Sequence, residues 1–147
     1  MVLRNIYNQQ EKQYLYTEEP AYRIHYLPTE DVLLTEVLLP LNEAQYRAYN
    51  DAMVPALQHY GTGRMLRDNR RNGVISQANQ EWMVDDWFPR ALQAGLRQAV
   101  ILNSPDAFNQ FAVMNVTERL APQLERAGMQ LRVFATPEEG LAWLRSL

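Results

Sequence analysis

In the first third of the chain, apolar and polar residues alternate with the two-residue period of a half-buried β-strand. The alternation is clearest in residues 22–27, where Tyr22, Ile24 and Tyr26 alternate with Arg23 and His25. This pattern predicts a strand with its tyrosines and isoleucine turned to the core. His25 is accordingly expected to point outward.

Two further strand-forming runs flank this segment, at residues 13–17 and 31–39. Residues 27–31 have the composition of a turn, so the second and third runs are predicted to form an antiparallel hairpin. Pro40 has no N–H to donate to a neighbouring strand, and we expect it to end the third strand.

After Pro40 the apolar period lengthens to three and four residues, which predicts helices. Four residues of the type that caps helix N-termini precede these segments: Asn42, Ser76, Ser104 and Thr136. Ser104 is followed by Pro105, which suits the first helical position. The apolar side of the third helix is predicted to consist of Phe108, Phe111, Val116, Leu120 and Leu124.

Short apolar strands separate the predicted helices, so the element order is βββαβαβαβα. Residues 98–102 lack polar alternation, which is typical of a strand buried on both faces of a parallel sheet. Alternating strands and helices predict an α/β fold with a mostly parallel sheet and an antiparallel N-terminal hairpin. We expect residues 1–147 to form a single domain, of which residues 1–12 are a polar N-terminal arm.

The composition of the chain argues against several classes of function. The 147 residues include no Cys and two His, which excludes thiolate or multi-histidine metal sites, and neither a metal nor a cofactor is expected. The net charge of −3 argues against nucleic-acid binding. The chain contains no apolar run of signal-peptide or membrane-spanning length, so we expect a cytoplasmic protein without a membrane partner.

The candidate chemistry lies in the loop after the fourth predicted strand. Four arginines, Arg64, Arg67, Arg70 and Arg71, accompany one acid, Asp68, and the predicted helix at Ser76 follows. Ligands of open α/β sheets meet such strand ends, and helix N-termini favour anions. Arg67, Asp68, Asn69, Arg70, Arg71 and Ser76 are therefore a candidate site for a phosphate or an acidic partner. The alternative is a solvated loop whose arginines pair with Asp85, Asp86 or neighbouring acids.

Catalysis has little support in the sequence. Asp68 stands at a strand end, but general acid–base catalysis also needs a positioned partner, and neither His25 nor His59 is close to it in sequence. The glycine spacing of a phosphate-binding loop is absent as well. We therefore expect a protein that is not an enzyme, with no catalytic residues.

Two tryptophans lie five residues apart in the second predicted helix, which turns them about 140° away from each other. Trp87 is assigned to the core. Trp82 is assigned to the helix flank beside Arg70 and Arg71, where it is a candidate contact in a homodimer or with a protein partner, since Trp and Arg are enriched at such contacts. The alternative is that the hairpin or the N-terminal arm covers it.

Several stretches within residues 64–102 resemble a known group of proteins. The stretches Asp68-Asn-Arg, Gly73-Val-Ile-Ser76, Gln80-Glu-Trp82 and Asp86-Trp-Phe-Pro-Arg-Ala-Leu92 resemble a group of small bacterial proteins, frequent in Bacteroidetes-type genomes, that look like STAS-domain proteins. STAS is the fold of the sporulation anti-sigma-factor antagonist. The resemblance implies a regulatory or ligand-sensing domain, in which Ser76 occupies a place similar to the phosphorylated Ser or Thr of those antagonists. Their Asp-Ser-Ser/Thr-Gly pattern is absent, since this chain reads Gly73-Val-Ile-Ser-Gln-Ala78.

Two functions follow as expectations. The first is a non-enzymatic, STAS-like interaction or regulatory module in bacterial signalling, with a protein partner or a second copy of itself. The second is a small-molecule or anion-binding domain with its site at the loop of residues 68–76. An apolar pocket of about 300 Å³ or more beside this loop favours the binding domain. A filled site together with a flat aromatic patch favours the module.

Overall fold

Within residues 14–147, which the computed structural model describes, six strands form one sheet whose order follows the sequence. The strands are β1 (Tyr14–Glu19), β2 (Tyr22–Leu27), β3 (Val32–Val37), β4 (Arg64–Asp68), β5 (Gln98–Leu102) and β6 (Gln130–Phe134). β1, β2 and β3 pair antiparallel, whereas β3 to β6 pair parallel. The predicted α/β fold with a mostly parallel sheet and an antiparallel hairpin is confirmed. The predicted arm of residues 1–12 lies outside the described residues.

The helices follow the predicted order. They are α1 (Glu43–Tyr60), α2 (Gln77–Trp82), α3 (Phe88–Gln93), α4 (Ala107–Ala127) and α5 (Pro137–Arg145), and a π-helical turn (Met83–Trp87) joins α2 to α3. Three predicted caps are confirmed. Asn42 and Thr136 each form a capping box with the residue three positions on, and the Ser76 hydroxyl accepts from the N–H of Asn79.

The predicted start of α4 at Ser104 is wrong. The helix begins after Asp106, whose carboxylate accepts from the N–H groups of Phe108 and Asn109 and so satisfies two donors of the first turn. Ser104 instead accepts from the N–H of Asp106 and holds the turn that precedes the helix. Asp was overlooked because the Ser–Pro pair two residues earlier has the same N-terminal signature.

Pro89 accounts for the π-helical turn. The N–H of Phe88 donates to the carbonyl of Met83, five residues back, and in that register the carbonyl of Val84 would need an N–H at residue 89. Proline has none. The side chain of Gln123 in α4 donates to the Val84 carbonyl instead, at 3.3 Å, so the irregular turn is anchored to a neighbouring helix.

The sheet separates two hydrophobic layers of unequal size. α1, α2, α3 and α4 pack on one face and form the larger cluster, whereas α5 alone packs on the other. α5 approaches the sheet closely at Gly140, where an added Cβ would lie 2.8 Å from a methyl group of Val100. Residues 99–102 of β5 are buried between the two layers and between two parallel neighbours, which confirms that β5 is a central strand.

Two predictions about individual side chains are wrong. His25 is 8% exposed and lies on the face of β2 opposite to Ile24, so both faces of this strand are covered. Phe108 and Phe111 are 78% and 71% exposed, so only Val116, Leu120 and Leu124 of the predicted apolar side are buried. Three residues that were not predicted complete the core side of α4: Asn109, Ala112 and Val113.

Candidate functional site

The loop that follows β4 does not gather its charged side chains at one point. Asp68 is buried and forms a two-point ion pair with the half-buried Arg70, with Nε–Oδ1 and Nη2–Oδ2 distances of 2.9 and 2.8 Å. Arg71 is exposed, and Ser76 serves as the cap of α2. The predicted cluster is therefore divided between a partly buried ion pair, an exposed arginine and a helix cap.

Arg67 is separated from the others because it faces the larger hydrophobic layer. It is only 2% exposed and ranks among the largest fully buried side chains. Its Nη2 donates to Oδ1 of Asn50 at 2.6 Å, and its guanidinium also contacts the hydroxyl of Tyr46. The ring of Trp87 lies 5.1 Å from the guanidinium carbon and that of Tyr49 lies 5.8 Å away. Neutral groups therefore surround this positive charge.

A buried polar network extends from Arg67 across the carboxyl ends of β3 and β4. The Tyr49 hydroxyl donates to Oγ1 of Thr35 at 2.8 Å and lies 3.1 Å from Oδ1 of Asn69. The indole N–H of Trp87 donates to the carbonyl of Asn50 at 2.6 Å. We name Thr35, Tyr46, Tyr49, Asn50, Arg67, Asn69 and Trp87 the Arg67 network.

The two tyrosines of the Arg67 network remain protonated. Burial raises the pKa of Tyr49 and of Tyr46, and the positive charge of Arg67 acts in the opposite direction without overcoming it. Both hydroxyls can therefore donate hydrogen bonds at neutral pH. The network fixes α1 to the centre of the sheet, and it offers no activated base or nucleophile.

The Arg67 network was not predicted from the sequence, apart from Arg67 and Asn69. One signal was present: Arg67 follows Met65 with the two-residue period of β4, so both side chains face the same hydrophobic layer. The composition of the loop drew attention away from this periodicity.

A pocket of about 230 Å³ lies beside the loop, where the N-termini of α1 and α2 meet. Polar groups of Asn42, Asn72, Ser76 and Asn79 line it together with Glu43. Asn79 uses both ends of its amide within the fold, since Oδ1 accepts from Arg47 and Nδ2 donates to the Glu43 carbonyl. This pocket is smaller and more polar than an ordinary small-molecule site, and the acidic side chain opposes the binding of an anion.

Trp82 is half-buried, and two guanidinium groups contact its ring. The guanidinium carbons of Arg47 and Arg90 lie 5.2 and 5.7 Å from the ring centroid. Arg70 and Arg71, the neighbours expected from the sequence, are not the residues stacked on it. Arg90 is itself paired with Asp51 and Asp86.

A different apolar surface is open to solvent on α4. Phe108, Phe111 and Met114 are 78%, 71% and 54% exposed, and their spacing of three residues places them along one side of the helix. We name these three residues the α4 apolar surface. On the adjacent side of α4, Asn115 donates to Gln80 of α2 at 2.8 Å, so that side is already packed.

Residues 14–147 contain no group of three or more His, Asp or Glu side chains arranged to hold a metal ion. No helix among them is long and apolar enough to cross a membrane.

Comparison of the chain with protein-family models, curated proteins and solved structures found no match.

Proposed function

We propose that this chain is a non-enzymatic, STAS-like interaction module that acts in bacterial regulation or signalling in the cytoplasm, and that it works as a homodimer. The observation that carries the proposal is the α4 apolar surface. Each aromatic side chain offers about 150–250 Å², so the measured exposures leave roughly 400 Å² of apolar side chain in water. A patch of this size equals the largest apolar patch of a typical monomer, and such patches are often functional.

A second copy of the chain is the occupant that the α4 apolar surface fits best. Phe108, Phe111 and Met114 are evenly spaced, so two α4 helices can pack antiparallel about a two-fold axis at Phe111. Phe111 then meets its own counterpart, and Phe108 of one copy lies opposite Met114 of the other. The same three residues therefore complete the contact from both sides.

The area available agrees with a dimer of ordinary size. A stable interface buries about 800 Å² on each partner, with an apolar centre and a polar rim. The α4 apolar surface supplies about half of that area. Exposed polar residues along the same helix, among them Gln110, Glu118 and Arg119, are available to form the rim.

A catalytic role has no support at the loop. The carboxylate of Asp68 is paired with Arg70, and the hydroxyl of Ser76 is used as a helix cap. Phosphorylation of Ser76 stays a prediction, since a phosphate at a helix N-terminus is tolerated electrostatically. A small-molecule or anion-binding domain at residues 68–76 stays a prediction, and the polar pocket of about 230 Å³ beside this loop is smaller than an ordinary small-molecule site.

Sedimentation equilibrium of the purified chain tests the homodimer. We expect the wild-type chain to sediment as a dimer in the micromolar range, and the double variant Phe108→Ser, Phe111→Ser to sediment as a monomer. Leu39→Ser is the matched control, because Leu39 is an exposed apolar residue on another surface, and it should leave the dimer intact.

Thermal unfolding of the three proteins shows whether the folds are equivalent. Surface substitutions of this kind usually change stability by about 0.5 kcal/mol or less, apart from the contribution of the dimer itself. A wild-type chain that stays monomeric at 100 μM, about two orders of magnitude above the expected range, would contradict the homodimer, as would a double variant that dimerises like the wild type.

A further inference from the structure

Among residues 14–147, no carboxylate forms an ion pair with the positive charge that the Arg67 network encloses: the polar contacts of Arg67 are to the amide of Asn50 and the hydroxyl of Tyr46. Its Nε is buried and has no hydrogen-bond partner. A buried charge is costly unless it is paired, so both the charge and the unpaired N–H call for an acceptor that residues 14–147 do not provide.

A small cavity adjoins this arginine. Arg67, Tyr46, Asn69 and Thr117 contribute to its lining, and the rest of the lining is apolar, formed by side chains such as Ile101, Val113 and Val116. The cavity leaves about 20 Å³ for the centre of a water-sized guest, and one water needs about 10–15 Å³ on that measure. The space therefore admits a single small guest and excludes a phosphate or a sulfate.

We propose that this cavity binds a small monovalent anion, of the size of chloride, which accepts the free Nε–H of Arg67 and neutralises its charge. The apolar walls strengthen the attraction, because a charge pair is screened less in a low-dielectric interior than in water. The anion would act as a structural ligand between α4 and the sheet. This site is distinct from the α4 apolar surface, which lies on the opposite, solvent-exposed side of the helix.

Thermal unfolding at constant ionic strength tests the site, with sodium gluconate progressively replaced by sodium chloride. Because a ligand that binds only the folded state stabilises it, we expect the midpoint to rise by roughly 3–6 °C once chloride exceeds its dissociation constant about tenfold. Above the dissociation constant the midpoint should continue to rise with the logarithm of the chloride concentration. Bromide should produce a similar rise.

Two variants assign the effect to the cavity. Val113→Leu adds one methylene group to its wall while it keeps Arg67, and it should abolish the chloride-dependent rise. Arg70→Gln is the matched control, because it removes a neighbouring arginine that lies outside the cavity, and it should retain the full rise. A rise that Val113→Leu preserves, or that Arg70→Gln removes, would assign the anion to the surface and overturn the proposal.

Fluorescence provides a second measurement that does not depend on the stability of Val113→Leu. Trp87 lies next to the guanidinium of Arg67, so in the background Trp82→Phe, Trp143→Phe a bound bromide should quench its emission along a saturating curve. Quenching that increases linearly with bromide, together with equal midpoints in chloride and gluconate, would show that the cavity holds only water and would overturn the proposal.

Discussion

Lowering the pH from 7.5 to 5 is expected to destabilise the fold through His25. This side chain lies between Leu15 of β1 and Leu34 of β3 in the register of the sheet, and its Nε2 is buried without a hydrogen-bond partner. Burial, reinforced by the nearby positive charge of Arg23, lowers the pKa of His25 from 6.5 to about 4. The folded protein therefore keeps this imidazole neutral at a pH at which the unfolded chain protonates it.

The sign and the size of the effect follow from proton linkage. Between pH 6.5 and 4 the unfolded state binds more protons than the folded state, so stability increases with pH across this window. The stability that depends on a neutral His25 is fully present above pH 6.5, and it is lost as the pH falls from 6.5 towards 4. With pKa values of 6.5 unfolded and about 4 folded, the loss from pH 7.5 to pH 5 is about 2 kcal/mol.

Urea unfolding at pH 7.5 and at pH 5 measures this loss, and the chain offers a matched pair of variants because it contains two histidines. His25→Phe retains a ring of similar size without the titrating group, and it should remove most of the pH dependence in this window. His59→Gln alters an exposed residue in the last turn of α1, and it should behave like the wild type. An undiminished loss in His25→Phe, or a proton NMR titration of His25 centred near pH 6.5, would refute the reasoning.

Three stability predictions follow from single contacts, and chemical denaturation measures each of them. Gly63→Ala places a Cβ 2.6 Å from the Gly95 carbonyl oxygen, so we expect the free energy of unfolding to fall by about 1–3 kcal/mol. Gly73→Ala is the control: its Cβ would have more space, and we expect almost no change. Trp87→Phe removes the hydrogen bond to Asn50 and should cost about 1–3 kcal/mol. Asp106→Ala removes the cap of α4 and should cost about 1 kcal/mol, whereas Ser104→Ala should cost less if Asp106 is the true cap.

The fold was predictable because its main signal is a change of period. Alternation with a period of two ends at Pro40, and the later helices are separated by short apolar strands that must be buried between layers. The capping boxes at Asn42 and Thr136 are local features, so they could be recognised without knowledge of the tertiary structure. The cap of α4 was missed because Ser104 and Asp106 are both suitable residues, and propensity alone does not rank them.

The candidate site was less predictable, because the residues that define it meet only in the folded chain. Arg67 was assigned to a polar loop on the basis of its neighbours Asp68, Arg70 and Arg71. In the structure its partners come from α1 and from the π-helical turn, including Asn50, which lies 17 residues away. Sequence proximity groups charges that the sheet then separates, since successive residues of a strand point to opposite faces.

The two phenylalanines of α4 do not follow the spacing of the buried residues of their own helix. The core side of this helix is set by Val113, Val116 and Leu120, which recur at steps of three and four residues. Phe111 is rotated about 140° from Val116 on a 3.6-residue helix, so it could not share that side, however apolar it is. Both phenylalanines were assigned to the core because they are hydrophobic, although their spacing does not match that of the buried residues. A large aromatic side chain that does not follow the core spacing of its own helix stays exposed to water in the isolated chain. This exposure of apolar surface is energetically unfavourable. A contact between the α4 helices of two copies would relieve this cost, which is why the departure from the core spacing supports the proposed dimer.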